Sequence, residues 1–203
     1  MSANETTKPA VFIIESLTFE NEQHQLFEGR IIANILDLNK VPSKYYYIRT
    51  RQEFIEVLTL FEKSNYRYLH ISCHGSKSHL YLTLDELSYS EIGKLLEKYL
   101  KKKRLFLSAC QATNENLIKT IIPKSACYSV IGPVKDIAFR DAAITWAAFY
   151  HLMFKNDPKR MNRVSLLKFL QKVVNTFEEP LNYFSISRSN ENGYKKETLK
   201  AKK

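Results

Sequence analysis

Two residues in this chain can do covalent chemistry if folding brings them together: a histidine, His74, and a cysteine, Cys110. His74 closes the run His70-Ile71-Ser72-Cys73-His74-Gly75-Ser76, and Cys110 closes Leu105-Phe106-Leu107-Ser108-Ala109-Cys110. A free thiol with a pKa of about 8.5 is only a few per cent thiolate at neutral pH. An adjacent imidazole raises that fraction and can then return the proton to a leaving amine. Gly75 has no side chain, so the backbone beside the histidine can turn sharply and approach a substrate carbonyl. Its N–H, with that of Cys110, is a natural donor to an oxyanion.

Each residue also has an ordinary reading. A cysteine at a buried strand end packs as a small hydrophobe, and a histidine there can simply be hydrogen-bonded. The other candidates take the ordinary reading. Strand alternation turns Cys73 to the side opposite His74, and Cys127 has no partner near it in sequence. His24, His70, His79 and His151 show no metal-ligand spacing with Cys, Asp or Glu, so no metal and no cofactor is expected. Trp146, Phe149 and Tyr150 fall at core spacing on a helical pattern. There is no P-loop, and glycine is too scarce for a dinucleotide fingerprint.

For the pair to meet, the elements carrying it must lie side by side. Short apolar runs at 11–14, 45–48, 68–72, 105–108 and 128–131 read as strands buried on both faces. Amphipathic patterns at 25–36, 51–61 and 89–100 read as helices, the last with Ser90 as N-cap before Glu91. Further helices are expected over 139–154 and 163–177, broken at Asn156-Asp157-Pro158 and stopped near Pro180. The alternating run 183–187 reads as a sixth, edge strand, and 80–84 as a short surface β-excursion. Strand–helix alternation predicts an α/β fold: a mostly parallel six-stranded sheet with helices on both faces. In such sheets functional groups collect at the carboxyl ends of the strands. The runs ending at His74 and Cys110 are joined by one crossover, so the two residues are expected side by side on that edge.

The bulk properties narrow the class. The chain has 203 residues, 44% hydrophobic and 26% charged, which suits one globular domain over 10–189. A flexible segment is expected over 1–9 and a basic, disordered tail over 190–203, where Lys195, Lys196, Lys200, Lys202 and Lys203 gather. The odd count of three cysteines, with no CxxC and no leader-like segment, points to a reduced, cytoplasmic protein. No run approaches the roughly 18–20 apolar residues that span a bilayer, so no membrane segment is expected. The net charge of +10 makes nucleic acid a partner to weigh. Along the sequence, however, the charge is spread out, with its densest cluster at Lys101-Lys102-Lys103-Arg104 and no basic–aromatic interleaving. A nucleic-acid partner is therefore not expected.

The segments His70–Ser76 and Leu105–Ala112 resemble the two catalytic segments of the caspase-like (clan CD) cysteine peptidases, and among them the prokaryotic CHAT domain. Ser129-Val130-Ile131-Gly132-Pro133, Asp136 and the helix after it resemble a third segment of CHAT domains. The resemblance spans about residues 10 to 155 and implies a three-layer caspase-like sandwich. By position it implies His74 as general base and acid, Cys110 as nucleophile and Gly75 as an oxyanion contributor. Relatives that cleave after basic residues use acidic groups near the nucleophile, which makes Asp136 and Asp141 candidates for substrate binding. The caspase pattern has Gln-Ala-Cys and a glycine two positions later, whereas this chain has Ser108-Ala109-Cys110 and Ala112, so aspartate specificity is not implied. The resemblance implies a cysteine endopeptidase acting on a protein substrate, a regulated effector in prokaryotic defence or cell death, held in check until a protein partner releases it. The alternative is a catalytically inactive interaction module on the same fold.

Overall fold

The computed structural model describes residues 7–159 and 161–202. In chain order, β1 (Lys8–Glu15), α1 (Phe19–Gln23), α2 (Glu28–Leu38), β2 (Ser43–Tyr47), α3 (Arg51–Ser64) and β3 (Tyr66–Ser72) form the first part. A small antiparallel sheet follows, made of β4 (His74–Gly75), β5 (His79–Tyr81) and β6 (Glu86–Ser88). Then come α4 (Tyr89–Leu96), β7 (Arg104–Ser108), α5 (Glu115–Ser125), β8 (Ser129–Pro133), α6 (Phe139–Asn156) and α7 (Arg163–Phe177). The hairpin β9 (Leu181–Ile186) and β10 (Tyr194–Leu199) closes the chain's described part.

The main sheet has seven strands in the order β10-β9-β8-β7-β3-β1-β2. Its β1, β2, β3, β7 and β8 run parallel, β9 runs against them, and β10, paired antiparallel with β9, runs their way again. This is the mostly parallel α/β sandwich expected, with one strand more than the sequence suggested. Two expectations need correction. The run read as an edge strand lies inside the sheet, covered by β10. The lysine-rich tail is not disordered over Tyr194–Leu199, because those residues pair with β9 in full antiparallel register. An edge strand can carry lysines on its open side while its ladder is satisfied by a neighbour.

Each face of the sheet holds its own core. Alternation along β3 sends Leu69, Ile71 and Cys73 to the layer of α3, α4 and α5, and sends Tyr68 to the layer of α2, α6 and α7. On β7, Leu105 and Leu107 join the first layer and Phe106 the second. Fully buried side chains such as Phe12, Phe61, Phe106 and Trp146 anchor the layers, each contributing about 2–3 kcal/mol by removal from water. The run 80–84 lies less at the surface than expected, since Leu80 and Leu82 are buried beneath the small sheet and only Leu84 is exposed.

Local signals explain the helix starts. Thr50 with Glu53, and Ser88 with Glu91, form reciprocal capping boxes. The second corrects Ser90 to Ser88 as the N-cap of α4, since a box needs its acid three residues on. Helix α5, which the sequence reading left unassigned, starts at Asn114, whose side chain accepts from the backbone N–H groups of Asn116 and Leu117.

Candidate active site

The ladder of β3 and β7 sets Ser72 opposite Ser108, and the Cys73 N–H extends it by donating to the Ser108 carbonyl at 3.1 Å. His74 and Cys110 lie two residues beyond the matched serines, so the period-2 alternation of strands puts them level and on the same face. That face is the one covered by α6, and α6 confirms it from the other side. Phe139, its first residue, meets the His74 ring edge-on with centroids 5.3 Å apart, and the Ile137 carbonyl just before it accepts from the Cys110 thiol at 3.7 Å.

Gly75 is required by proximity. A Cβ placed there would come within 2.8 Å of the Cys110 carbonyl oxygen and 3.0 Å of the Ala109 Cβ. The backbone next to the histidine therefore rests directly on the backbone of the cysteine. Beyond Cys110 the chain turns at once, with the Ala112 N–H donating to the Ala109 carbonyl at 3.3 Å. Gln111 takes a left-handed φ of 55°, a conformation that costs a non-glycine residue about 1 kcal/mol or more. Its side-chain amide is pinned by Asp136, donating to both carboxylate oxygens at 2.8 and 3.0 Å. The turn thus presents Cys110 at its apex.

His74 and Cys110 are each engaged elsewhere, by Asn21 and by the Ile137 carbonyl. No hydrogen bond joins the His74 ring to the Cys110 thiol. Asn21 Nδ2 donates to His74 Nε2 at 2.6 Å, so that nitrogen's lone pair is engaged and the ring proton sits on Nδ1. Burial lowers the His74 pKa. Burial also raises the Cys110 pKa, opposed by the Ile137 hydrogen bond and reinforced by the Asp136 charge and hydrogen bond. Both shifts favour thiol and neutral imidazole over a thiolate–imidazolium pair.

Of the two acidic candidates, Asp136 lies beside the thiol, on the wall of a cleft of about 430 Å³ that Gln111, Asn114, Lys77 and Lys135 also line. Asp141 is not brought to the dyad. It sits in the first turn of α6 and pairs with Arg140 at 3.6 Å, which suits a carboxylate at a helix N-terminus. Cys73 and Cys127 are buried core thiols whose pKa burial pushes up to about 12.

Sequence reasoning missed Asn21, Gln111, Ile137 and Phe139. Asn21 is far from His74 in sequence and sits on a short helix after β1, so only the adjacency of β1 and β3 brings it near.

Beneath the dyad lies a buried polar cluster that the sequence reading also missed. The Glu28 carboxylate, nearly inaccessible at the start of α2, meets His70 Nε2 at 3.3 Å and accepts from the Ser108 hydroxyl at 2.9 Å. His70 Nδ1 in turn pairs with the Tyr150 hydroxyl at 3.1 Å. Glu15, fully buried, accepts from the Gly29 N–H and the Tyr45 hydroxyl, both at 2.7 Å.

No protein-family model matches the chain, and no curated protein does. Among solved structures it is similar to caspase-1 from Spodoptera frugiperda, with a TM-score of 0.57 at 14% identity, over 97% of this chain and 86% of that one. It is also similar to the Saccharomyces cerevisiae separase–securin complex, with a TM-score of 0.47 at 13% identity, over 85% of this chain and 11% of that one. The element order, the parallel sheet covered on both faces and the caspase-1 likeness lead to one conclusion about architecture: this chain has a caspase-like fold.

Proposed function

We propose that the chain is a cysteine endopeptidase in which Cys110 is the nucleophile and His74 the general base and acid. The observation that supports this reading is the Ser72–Ser108 register, since His74 and Cys110 each follow it by two residues. In the reaction the Cys110 thiol gives its proton to His74 as its sulfur bonds the scissile carbonyl carbon. The C–N bond then breaks, and His74 hands the proton to the leaving amine. Water, deprotonated by His74, hydrolyses the acyl-enzyme and frees the thiol. Gly75 supports an oxyanion role. The Ser76 N–H donates to His79 at 3.0 Å, so Gly75 falls at the non-hydrogen-bonded position opposite Leu80, and its N–H faces away from β5. Asp136 is the proposed contact for a basic substrate side chain, with Asp141, in the first turn of α6, the other candidate.

The hydrogen bonds that engage His74 and Cys110 separately support regulation. For catalysis the Asn21 amide must leave His74 Nε2 and the thiol must leave the Ile137 carbonyl. We assign that change to a protein partner, and the motif likeness to CHAT domains supports reading the chain as a regulated effector in prokaryotic defence or cell death. The same two hydrogen bonds favour a second reading, a non-catalytic interaction module in which the pair never engages.

A peptide library and a peptidyl electrophile directed at thiols separate the two. The first reading expects cleavage and covalent labelling at Cys110, both lost in Cys110→Ala and His74→Ala. Cleavage that survives Cys110→Ala rejects the nucleophile, and a chain never labelled with any candidate partner present is the interaction module.

A further inference from the structure

The charge that is scattered along the sequence is gathered by the fold. Four parallel strands begin with a cation in their first or second position: Lys8 in β1, Lys44 in β2, Arg67 in β3 and Arg104 in β7. Strand β10, antiparallel to β9, starts at the same edge, since Tyr194 pairs with Ile186 and Ser185 with Ser129, and its second residue is Lys195. These residues share the amino edge of the sheet, at the opposite end of the strands from His74 and Cys110. With neighbouring strands about 4.8 Å apart, the row extends over roughly 29 Å. Lysines in the last turns of α3 and α5 at this edge are accounted for by the negative helix C-termini. Arg67 is held by Thr7 and the Lys159 carbonyl, and Arg104 by Ser129 and the Met161 carbonyl, whereas the exposed Lys8, Lys44 and Lys195 are not held in this way. Among the described residues none of the five forms a salt bridge.

Two clefts open on this edge, and each combines cations with an aromatic ring. One, of about 510 Å³, is lined by Lys8, Lys40, Tyr66 and Phe154. The other, of about 320 Å³, is lined by Arg104, Tyr128, Arg163, Tyr183 and Lys195. Tyr128 is 42% exposed, with the Arg104 guanidinium 5.7 Å from its ring centre. A row of cations tracks a phosphodiester backbone, and a tyrosine face in a concave site takes an unpaired base. A base held in a duplex cannot enter such a cleft.

We propose that the amino edge of the sheet binds single-stranded nucleic acid, with phosphates along Lys8, Lys44, Arg104 and Lys195 and bases against Tyr66 and Tyr128. This stands apart from the peptidase reading, whose residues lie at the other edge. It also corrects the view that the charge lacks a stripe.

The test is fluorescence anisotropy with a labelled single-stranded oligonucleotide of about 16 nucleotides, as RNA and as DNA. Binding should weaken with salt at a log–log slope of about 3, that is about 0.7 for each of four neutralised phosphates. The exposed triple variant K8E/K44E/K195E should lose tenfold or more and flatten the slope, with its thermal melt unchanged. Tyr128→Ala should lose about fivefold with the slope intact. Lys119→Glu, on the middle of α5, should bind as the parent does, and so should Cys110→Ala. Absence of binding at about 50 mM salt overturns the proposal. So does equal weakening by Lys119→Glu. Exposed Leu38 and Val164 flank this edge, so vesicles rich in phosphatidylserine are the competitor. Vesicles that displace the oligonucleotide at matched charge would make the edge a membrane surface instead.

Discussion

The two faces of the sheet are built on different principles. Between the strands and α3, α4 and α5, the core is mainly apolar: Leu69, Ile71, Leu107, Ile118, Ile121 and their neighbours interlock, with Lys103 lying over the Phe61 ring and Thr113 against Gly132. Between the strands and α2 and α6, the same strands bury Glu28, His70, Ser108 and Tyr150 in one connected cluster, with Glu15 close by. Among the described residues four buried polar atoms lack a hydrogen-bond partner: the Ser72 and Thr145 hydroxyls and the Trp146 indole N–H, and, against Gly132 on the other face, the Thr113 hydroxyl. Burying such groups costs stability unless every partner is in place. The contrast teaches where this fold gives up stability. It does so on the face that carries His74 and Cys110, and there the strand ends are held by polar contacts with fixed directions rather than by packing alone.

Substitutions that treat the faces alike should give unlike results. Glu28→Ala leaves His70 Nε2 and the Ser108 hydroxyl without their carboxylate, and should cost about 3–5 kcal/mol in denaturant unfolding. Ile121→Val on the apolar face should cost only about 1 kcal/mol and leave any peptidase activity intact. A Glu28→Ala loss as small as that of Ile121→Val would erase the distinction.

The next largest effect is one of pH. Burial raises the Glu15 pKa from its ordinary 4.5 to about 7, outweighing the Gly29 and Tyr45 hydrogen bonds. Because the folded state holds this proton more tightly than the unfolded chain, the group's stabilising contribution is complete below pH about 4.5. It is lost as pH rises towards 7 and flat above, a difference on the order of 3 kcal/mol. Glu15→Gln should remove that slope from a series of unfolding curves taken between pH 4 and 8. A slope left unaltered would mean that the carboxyl titrates as an ordinary exposed one.

The smallest effect sharpens the picture at the strand ends. Asp136 raises the Cys110 pKa through its charge and hydrogen bond, behind the larger contribution of burial. Asp136→Asn should therefore move the midpoint of thiol alkylation against pH downward, while burial keeps it above the ordinary thiol value. An upward movement would place the carboxylate's influence elsewhere.

Much of this was legible in the sequence because both signals involved are local. Buried parallel strands read as short apolar runs, and α7 was bounded correctly by its helical periodicity and by Pro180. The adjacency of the runs ending in His74 and Cys110 was legible, since a single crossover sets β3 beside β7. What escaped depends on contacts between distant segments. Strand β10 has a lysine-rich composition that reads as solvated tail, and only pairing with β9 makes it a strand. Helix α5 contains Pro123, which obscured its pattern. Glu28, an acid in the first turn of a helix, has the sequence signature of an exposed dipole partner, yet folding buries it. Asn21 carries no signal at all until β1 and β3 lie side by side.

The contact between Gly75 and the Cys110 carbonyl has a mechanical consequence. Two backbones in touch cannot be adjusted separately, so a force that shifts β4 within its small sheet is delivered to the turn that displays the sulfur. Because β6 pairs with β5 and β5 with β4, whatever grips β6 at exposed Glu86 holds a handle on His74 and Cys110 at once.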